Sequence, residues 1–350
     1  MYGEKSPKVA VVRAEPSVHE SVGRGLALIG GIEARESEHI IIKPNLCHPS
    51  PPETGRTTDV RIVEEIIRNC GQSHTRDIHV VESDNYVTSA DRTFKRLGYK
   101  ELEGKYPVHL TNLSRESKAE IKVDGRFFDT LEVPEFLTTP NFFISVAKLK
   151  VHLHELYTGA WKNQWGCLVQ REKRRFHPFL NEALADINTL WRPRLCIVDG
   201  IFGMEGCGPI DGVPKPMNLL VFGKDPLAVD SVCCHIMGID PHMVPHLQYA
   251  YKNGFGTINL EEIELLGERI EKVAAQFALP PSYSVRLMRW GLRSGRYRPP
   301  LINMGLALFN LGNNYAGKKH STRGLRHRQE KSTVGPKKIL RKLWTTRWNV

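Results

Sequence analysis

The sequence predicts an α/β protein: a mainly parallel, doubly wound sheet with an inserted β-hairpin region and a basic C-terminal tail. Short apolar runs rich in β-branched residues alternate with stretches of helical periodicity, the pattern of strands covered by helices on both faces. One internal region departs from that alternation and reads as short strands paired around a turn. Charge is segregated as well. Residues 286–350 hold 16 Lys/Arg against one acid, Glu330, a net of +15, whereas residues 1–285 hold 33 bases and 37 acids, a net of −4. The overall charge of +11 therefore describes a tail and gives no reason to read the whole chain as a nucleic-acid binder.

Each element has its own justification. Lys8–Arg13 is a β-branched run, followed by Pro16 and a helical stretch through Ile29. Glu38–Asn45 is a second strand, stopped by Pro44. Thr57–Cys70 places Val60, Ile62, Val63, Ile66 and Ile67 on one helical stripe, with Gly71 as its stop. Asp77–Ser83 gives a third strand and Ser89–Gly98 another helix. Val108–Val133 alternates in short stretches around Asp124-Gly125, a hairpin signal. Asn141–Ala147, Arg194–Val198 and Asn218–Phe222 are further strands, separated by helices near Asn181–Trp191 and Pro226–Met237.

The length of 350 residues suits about two domains or one with insertions. The charge break sets the boundary, giving an α/β domain over 1–285 and a basic, partly amphipathic or disordered tail over 286–350. The chain is 41% hydrophobic and 25% charged, which excludes a collagen-like, coiled-coil or wholly disordered protein. No apolar run approaches the ~20 residues that span a bilayer, and Met1–Pro7 lacks the apolar stretch of a secretory leader. Seven cysteines without a C-x-x-C pair fit free thiols in a reducing compartment, so a cytoplasmic location is expected.

Ligands of doubly wound sheets bind beyond the carboxyl ends of the strands. Lys43-Pro44-Asn45 and Glu82-Ser83-Asp84-Asn85 fall there. Lys148 and Lys150 follow the apolar run 141–147, with His152, His154 and the segment Thr158-Gly159-Ala160-Trp161-Lys162-Asn163 behind them. Asp199-Gly200 opens into Gly203-Met204-Glu205-Gly206-Cys207-Gly208-Pro209, and Asp230 lies one turn into the helix after Asp225.

Each group has a plainer reading beside the chemical one. The glycines of 200–208 serve either as a flexible turn or as a nest of backbone N–H groups around an anion. The run is neither a P-loop nor a dinucleotide fingerprint, so neither route to ATP or NAD is supported. His152 and His154 share a face only on a strand, and no ligand set completes a zinc site around them. Asp225 reads more naturally as a helix cap. Glu205 and Asp230 are candidate ligands for a hard divalent cation, or simply solvated acids. Cys207 is either a reactive thiol or an inert buried one.

Taken together, Lys43-Pro44-Asn45, Lys148-Leu149-Lys150-Val151-His152, Thr158–Asn163, the Asp199–Pro209 run and Asp225-Pro226-Leu227-Ala228-Val229-Asp230 resemble the domain of unknown function 362 family, from about residue 8 to 268. Some members of that family carry an added ferredoxin-like segment. This sequence has no C-x₂-C-x₂-C-x₃-C run, so the resemblance implies an iron–sulfur link without a cluster in this chain.

Two functional classes follow. The first is an enzyme on a small metabolite bearing carboxylate or phosphate, because fixed cations and N–H dipoles stabilise a developing oxyanion. In it His152 is the proton donor or acceptor, since an ordinary histidine titrates near neutrality. Lys43 and Lys162 clamp the anion, assisted by Lys148. Asn45, Thr158, Gly159 and Asn163 orient it, and Gly203, Gly206 and Gly208 offer backbone N–H groups. Lys43, His152, Lys162 and Glu205 are expected to converge on one cleft. Ser–His–Asp hydrolysis is not supported, as no G-x-S-x-G elbow occurs. The second class is a non-catalytic redox or cofactor-maturation accessory protein that holds a cofactor by the same groups. Which cofactor, if any, stays open. The tail sets Trp290, Tyr297, Trp344 and Trp348 among its bases, with a short apolar stretch, Leu301–Gly312. That mixture fits peripheral attachment to an anionic membrane at its inner face better than a purely electrostatic grip on nucleic acid.

Overall fold

The computed structural model describes residues 6–70, 77–170 and 173–280, all within one unit spanning Met1–Ile302. The tail, 286–350, and the expected boundary at its start lie outside the described residues.

The first half alternates as its pattern dictates. β1 (Lys8–Arg13) leads into α1 (Val18–Leu28), whose N-cap Ser17 accepts a hydrogen bond from the Glu20 N–H. β2 (His39–Pro44), α2 (Val60–Cys70) and β3 (Ile78–Glu82) follow. α3 (Ala90–Arg96) is capped by Ser89 and precedes the short α4 (Lys100–Lys105). β4 (Val108–Asn112) comes next, then β5 (Lys118–Lys122) and β6 (Thr130–Pro134), which pair antiparallel around Asp124 in left-handed conformation. The hairpin is thus 118–134. The segment 108–112, read with it from sequence, instead extends the main sheet beside β3, because its apolar residues find a buried neighbour there.

In the second half, β7 (Asn141–His152) pairs at its end with β8 (Leu156–Tyr157) and leads to α5 (Gly159–Asn163) and α6 (Leu180–Leu190). β9 (Leu195–Glu205) and β10 (Val213–Gly223) precede α7 (Pro226–Ile236), α8 (Pro245–Lys252), β11 (Glu264–Gly267) and α9 (Ile270–Val273). The sheet order is β11-β1-β10-β9-β7-β2-β3-β4, and every neighbour is parallel except around β10, which runs against both β1 and β9.

Alternate strand residues serve opposite faces. Ala10, Ile40, Ile42, Val80, Ile144 and Val146 pack under α1, α2 and α3. On the other face Val9, Val11, Val198 and Val221 pack with α5, α7 and α8, and Ile41, Val81 and Phe143 with the hairpin and α6. The sheet is therefore wound on both sides.

Two strands are longer than their apolar runs. β7 continues past Ala147 through Lys148, Lys150 and His152, because each buried ammonium finds an acceptor and the added residues pair with β9 and β8. β9 continues past Val198 through the glycine-rich stretch, where Gly203 pairs with Lys215 and Glu205 with Val213. Gly200 and Gly203 lie within β9 and permit close strand packing, whereas Gly206 and Gly208 lie in the turn between β9 and β10. A Cβ on Gly203 would lie 3.0 Å from the Leu149 carbonyl oxygen. Among the described residues no helix is long and apolar enough to cross a membrane, and all seven cysteines are free.

Candidate functional site

The parallel strands β9, β7, β2 and β3 are neighbours, and their carboxyl ends carry the lysines. Two of these are neutralised inside the protein. Lys43 donates to the Glu82 carboxylate at 2.8 Å and to its neighbour's carbonyl, Pro44 O, at 2.6 Å. Glu82 is held in place by the N–H groups of Leu46 and Ser83. Gly166 closes over this pair: a Cβ there would sit 2.4 Å from Lys43 Cε and 2.7 Å from Glu82 Oε1, so only glycine fits. Lys148 and Asp199, both fully buried, pair at 2.8 Å, with Asp199 also accepting from the N–H groups of Asp59 and Ile201. Burial pushes the Asp199 carboxyl up, against the pull of the Lys148 ammonium.

Lys148 and Lys150 leave β7 on the α1–α2 face, opposite to Ala147 and Leu149, whereas Lys43 leaves β2 on the other face with Ile41. The expected single clamp of lysines is therefore divided. Lys43 and Lys148 are structural cations with their own counter-ions.

Lys150 and Lys162 are different. Lys150, 1% exposed, donates to Asn45 Oδ1 (2.8 Å), the Arg56 carbonyl (2.9 Å) and Cys47 Sγ (3.4 Å), none of them a carboxylate. Burial lowers its pKa, and the charges of Lys148 and Lys43 add to that. Lys162, partly exposed on α5, has no hydrogen-bond partner among the described residues. Burial lowers its pKa to about 8, with Lys150 reinforcing and Glu155 and Cys47 opposing. His152, buried at the end of β7, accepts the His154 N–H on Nδ1 at 3.1 Å, which leaves the proton on Nε2. Burial, then the charge of Lys162, hold its pKa well below the ordinary histidine value. It is therefore neutral at pH 7, unlike Lys162 beside it. A lowered pKa leaves His152 a weak base for the proton transfer expected of it.

The charges of Lys162, His154, His177 and Lys150 all act on His152. The rings of His152 and His154 lie 5.6 Å apart, and those of His154 and His177 5.5 Å. Glu155 is bound by the fully buried His246 at 3.1 Å. Lys173 is a further buried lysine brought down to about 8 by burial; it donates to Ser83 Oγ and has no carboxylate partner among the described residues.

The remaining expected groups have structural duties. Asn163 ties α5 to the strands, donating to the Lys43 carbonyl at 2.7 Å and Ser145 Oγ at 3.1 Å. The Thr158 N–H and Oγ1 bond the carbonyls of Lys150 and Lys148. Asp230 accepts from the N–H groups of Ala160 and Trp161 and from the Tyr157 hydroxyl, capping α5 from within. Gly159, at φ +70°, makes room for it, since a Cβ would lie 2.1 Å from Asp230 Oδ1. Burial raises the Asp230 pKa to about 7. Glu205 pairs with Lys215 at 2.8 Å and accepts the Ala278 N–H. The two acids thus have separate partners and do not form a cation site together. Gly206 N–H bonds the Ala278 carbonyl, and a Cβ on Gly208 would lie 2.2 Å from the Val151 carbonyl oxygen. With Gly203 in a strand, the three glycines do not form an anion cradle. Asp225 caps α7 through the Leu227 and Ala228 N–H groups. Burial raises the Cys207 pKa, which favours the inert thiol.

Cys47, Glu155 and Lys173 were missed in the sequence. Cys47 stands two residues beyond Asn45 and carried a faint signal; Lys173 carried none.

Residues 40–235 match a family model described as a domain of unknown function (DUF362), a span containing Lys43, Cys47, Lys150, His152, Lys162 and Lys173. The chain is also 28% identical over 164 residues to the Thylakoid-associated protein sll1697 of Synechocystis sp., covering 45% of this chain and 51% of that protein. The chain thus spans about half the length of the curated relative it matches.

Proposed function

The chain belongs to the domain of unknown function 362 family, and from that membership and the lysine geometry we propose that it is an enzyme acting on a small metabolite bearing a carboxylate or phosphate, bound between Lys150 and Lys162. One observation carries the reading. Two ammonium groups, Lys150 near the carboxyl end of β7 and Lys162 on α5, lie close enough for their charges to act on one another and have no carboxylate partner among the described residues, although the neighbouring lysines 43 and 148 do. An unneutralised, desolvated cation is costly, and a bound anion removes that cost.

Lys150, fixed by three acceptors, supplies one held ammonium. Lys162, with a pKa of about 8, holds or releases a proton near physiological pH and is the acid/base group of this scheme. The neutral His152 donates a hydrogen bond from Nε2 to the ligand. An anion drawn to Lys162 raises that pKa and strengthens its own binding.

The test is thermal stability and calorimetry with phosphate and a dicarboxylate at millimolar concentration. An anion at about 100 times its Kd stabilises by about 2.7 kcal/mol. Lys162→Arg is expected to keep binding and lose turnover, because guanidinium does not release its proton. An accessory carrier, the alternative class, would tolerate Lys162→Arg in every assay. No response to either anion would refute the site.

The thylakoid association named for the relative, with the basic, Trp-containing tail, supports peripheral attachment of this chain to an anionic membrane as part of the same proposal. Flotation with anionic liposomes should be salt-sensitive and lost on deletion of residues 286–350; flotation unchanged by the deletion would refute it.

A further inference from the structure

A second cluster stands at the amino ends of the strands, away from the lysines. His39 begins β2, Asp77 immediately precedes β3, His79 is the second residue of β3, and His109 is the second residue of β4, directly opposite His79 in the ladder. His39 and Ile41 share a face of β2, and Ile41 is the ladder partner of His79, so all three imidazoles emerge on one side of the sheet. They converge on one carboxylate. His39 Nδ1 is 3.1 Å and His79 Nε2 3.0 Å from Asp77 Oδ2, while His109 Nε2 is 3.4 Å from Oδ1. The ligand atoms of His39, Asp77 and His79 all lie within 4.8 Å of one another.

The contacts of His39 and His79 with Asp77 are close to the edges of a coordination shell, and His109 approaches the same carboxylate from β4. With metal–nitrogen and metal–oxygen bonds of about 2.0–2.2 Å, the edges of a zinc tetrahedron are about 3.3–3.5 Å. The two short contacts need to open by only a few tenths of an ångström to admit an ion. The supporting shell is present too. His79 Nδ1 is 2.8 Å from Thr111 Oγ1, so an Nδ1–H donated to that hydroxyl leaves Nε2 free to ligate. Phe136 packs against the same ring at a centroid distance of 5.1 Å and fixes its plane. Imidazole nitrogens with one carboxylate suit a borderline ion such as zinc rather than magnesium or calcium, which take all-oxygen shells.

We propose that His39, Asp77 and His79, with His109 as the fourth ligand, bind one zinc-class divalent ion that ties together the starts of three parallel strands. The ion binds the folded protein only, so it should raise the melting temperature.

The full-length chain, freed of metal with a chelator, is titrated with Zn²⁺ by calorimetry and with Co²⁺ by visible absorption. One equivalent is expected to bind, with the intense absorption of a four-coordinate cobalt site. Asp77→Asn and His79→Ala should each weaken Zn²⁺ more than about 100-fold, and Thr111→Val about 10- to 100-fold. The Zn²⁺-induced rise in melting temperature should disappear in the ligand variants and persist in Lys162→Met. If a ligand variant fails to fold, anomalous diffraction from a Zn²⁺-soaked wild-type crystal decides: density bridging His39 and His79 supports the proposal, and density elsewhere overturns it. An equivalent retained unchanged by every variant would belong to other groups, among them the free cysteines, and would overturn it as well. So would the absence of binding by the folded wild type.

Discussion

Replacing Lys162 by methionine keeps the aliphatic stem and removes the ammonium, so it separates what the charge does from what the side chain packs. The folded-state pKa of about 8 lies below the ordinary lysine value of 10.5. Over that interval the unfolded chain holds the proton more often than the folded one, and stability rises with pH. A depression of that size is worth about 3 kcal/mol, which solvent at the partly exposed amine reduces to about 1–2 kcal/mol. Lys162→Met is therefore expected to stabilise the ligand-free protein at pH 7 by about 1–2 kcal/mol and to change it little near pH 10.5, while abolishing the anion response. Urea unfolding at pH 7 and near pH 10, with and without phosphate, measures both effects. Lys173 titrates over the same range and leaves a residual slope in the variant, so the comparison is between slopes. A variant less stable than wild type at pH 7, or one with an unchanged pH dependence, would refute the view of Lys162 as an unneutralised cation awaiting its ligand.

Lys148→Met alone strands the Asp199 carboxylate in the interior and should cost about 3–5 kcal/mol, whereas Lys148→Met with Asp199→Leu should recover most of that in denaturant titrations. Equal stability of single and double variants would show that the pair is not coupled. Gly159→Ala forces a Cβ against Asp230 at positive φ and should destabilise by at least about 2 kcal/mol, with a lowered urea midpoint as the readout. Because burial lowers its pKa, the His152 imidazole should show no titration near pH 6.5 in two-dimensional NMR; a midpoint there would restore it as the acid/base group.

The sequence by itself determined the local features. The alternation of apolar runs and helical stripes, the cap at Asp225, the hairpin near Asp124 and the family likeness all depend on residues a few positions apart, and each was legible there. What it could not assign was the state of the charged groups. Lys43, Lys148, Lys150 and Lys162 look alike in the chain, yet Lys43 finds Glu82 39 residues away and Lys148 finds Asp199 51 residues away, while the other two form no ion pair among the described residues. The polar residues after Ala147 and the glycines after Val198 suggested strand ends. Burial with partners carried β7 on to His152 and β9 through Gly200 and Gly203 to Glu205. The direction of β10 and the meeting of His39, Asp77, His79 and His109 likewise come from strands brought side by side. Ion pairing, desolvation and metal-ligand geometry depend on distance in space, and only the tertiary structure sets that distance.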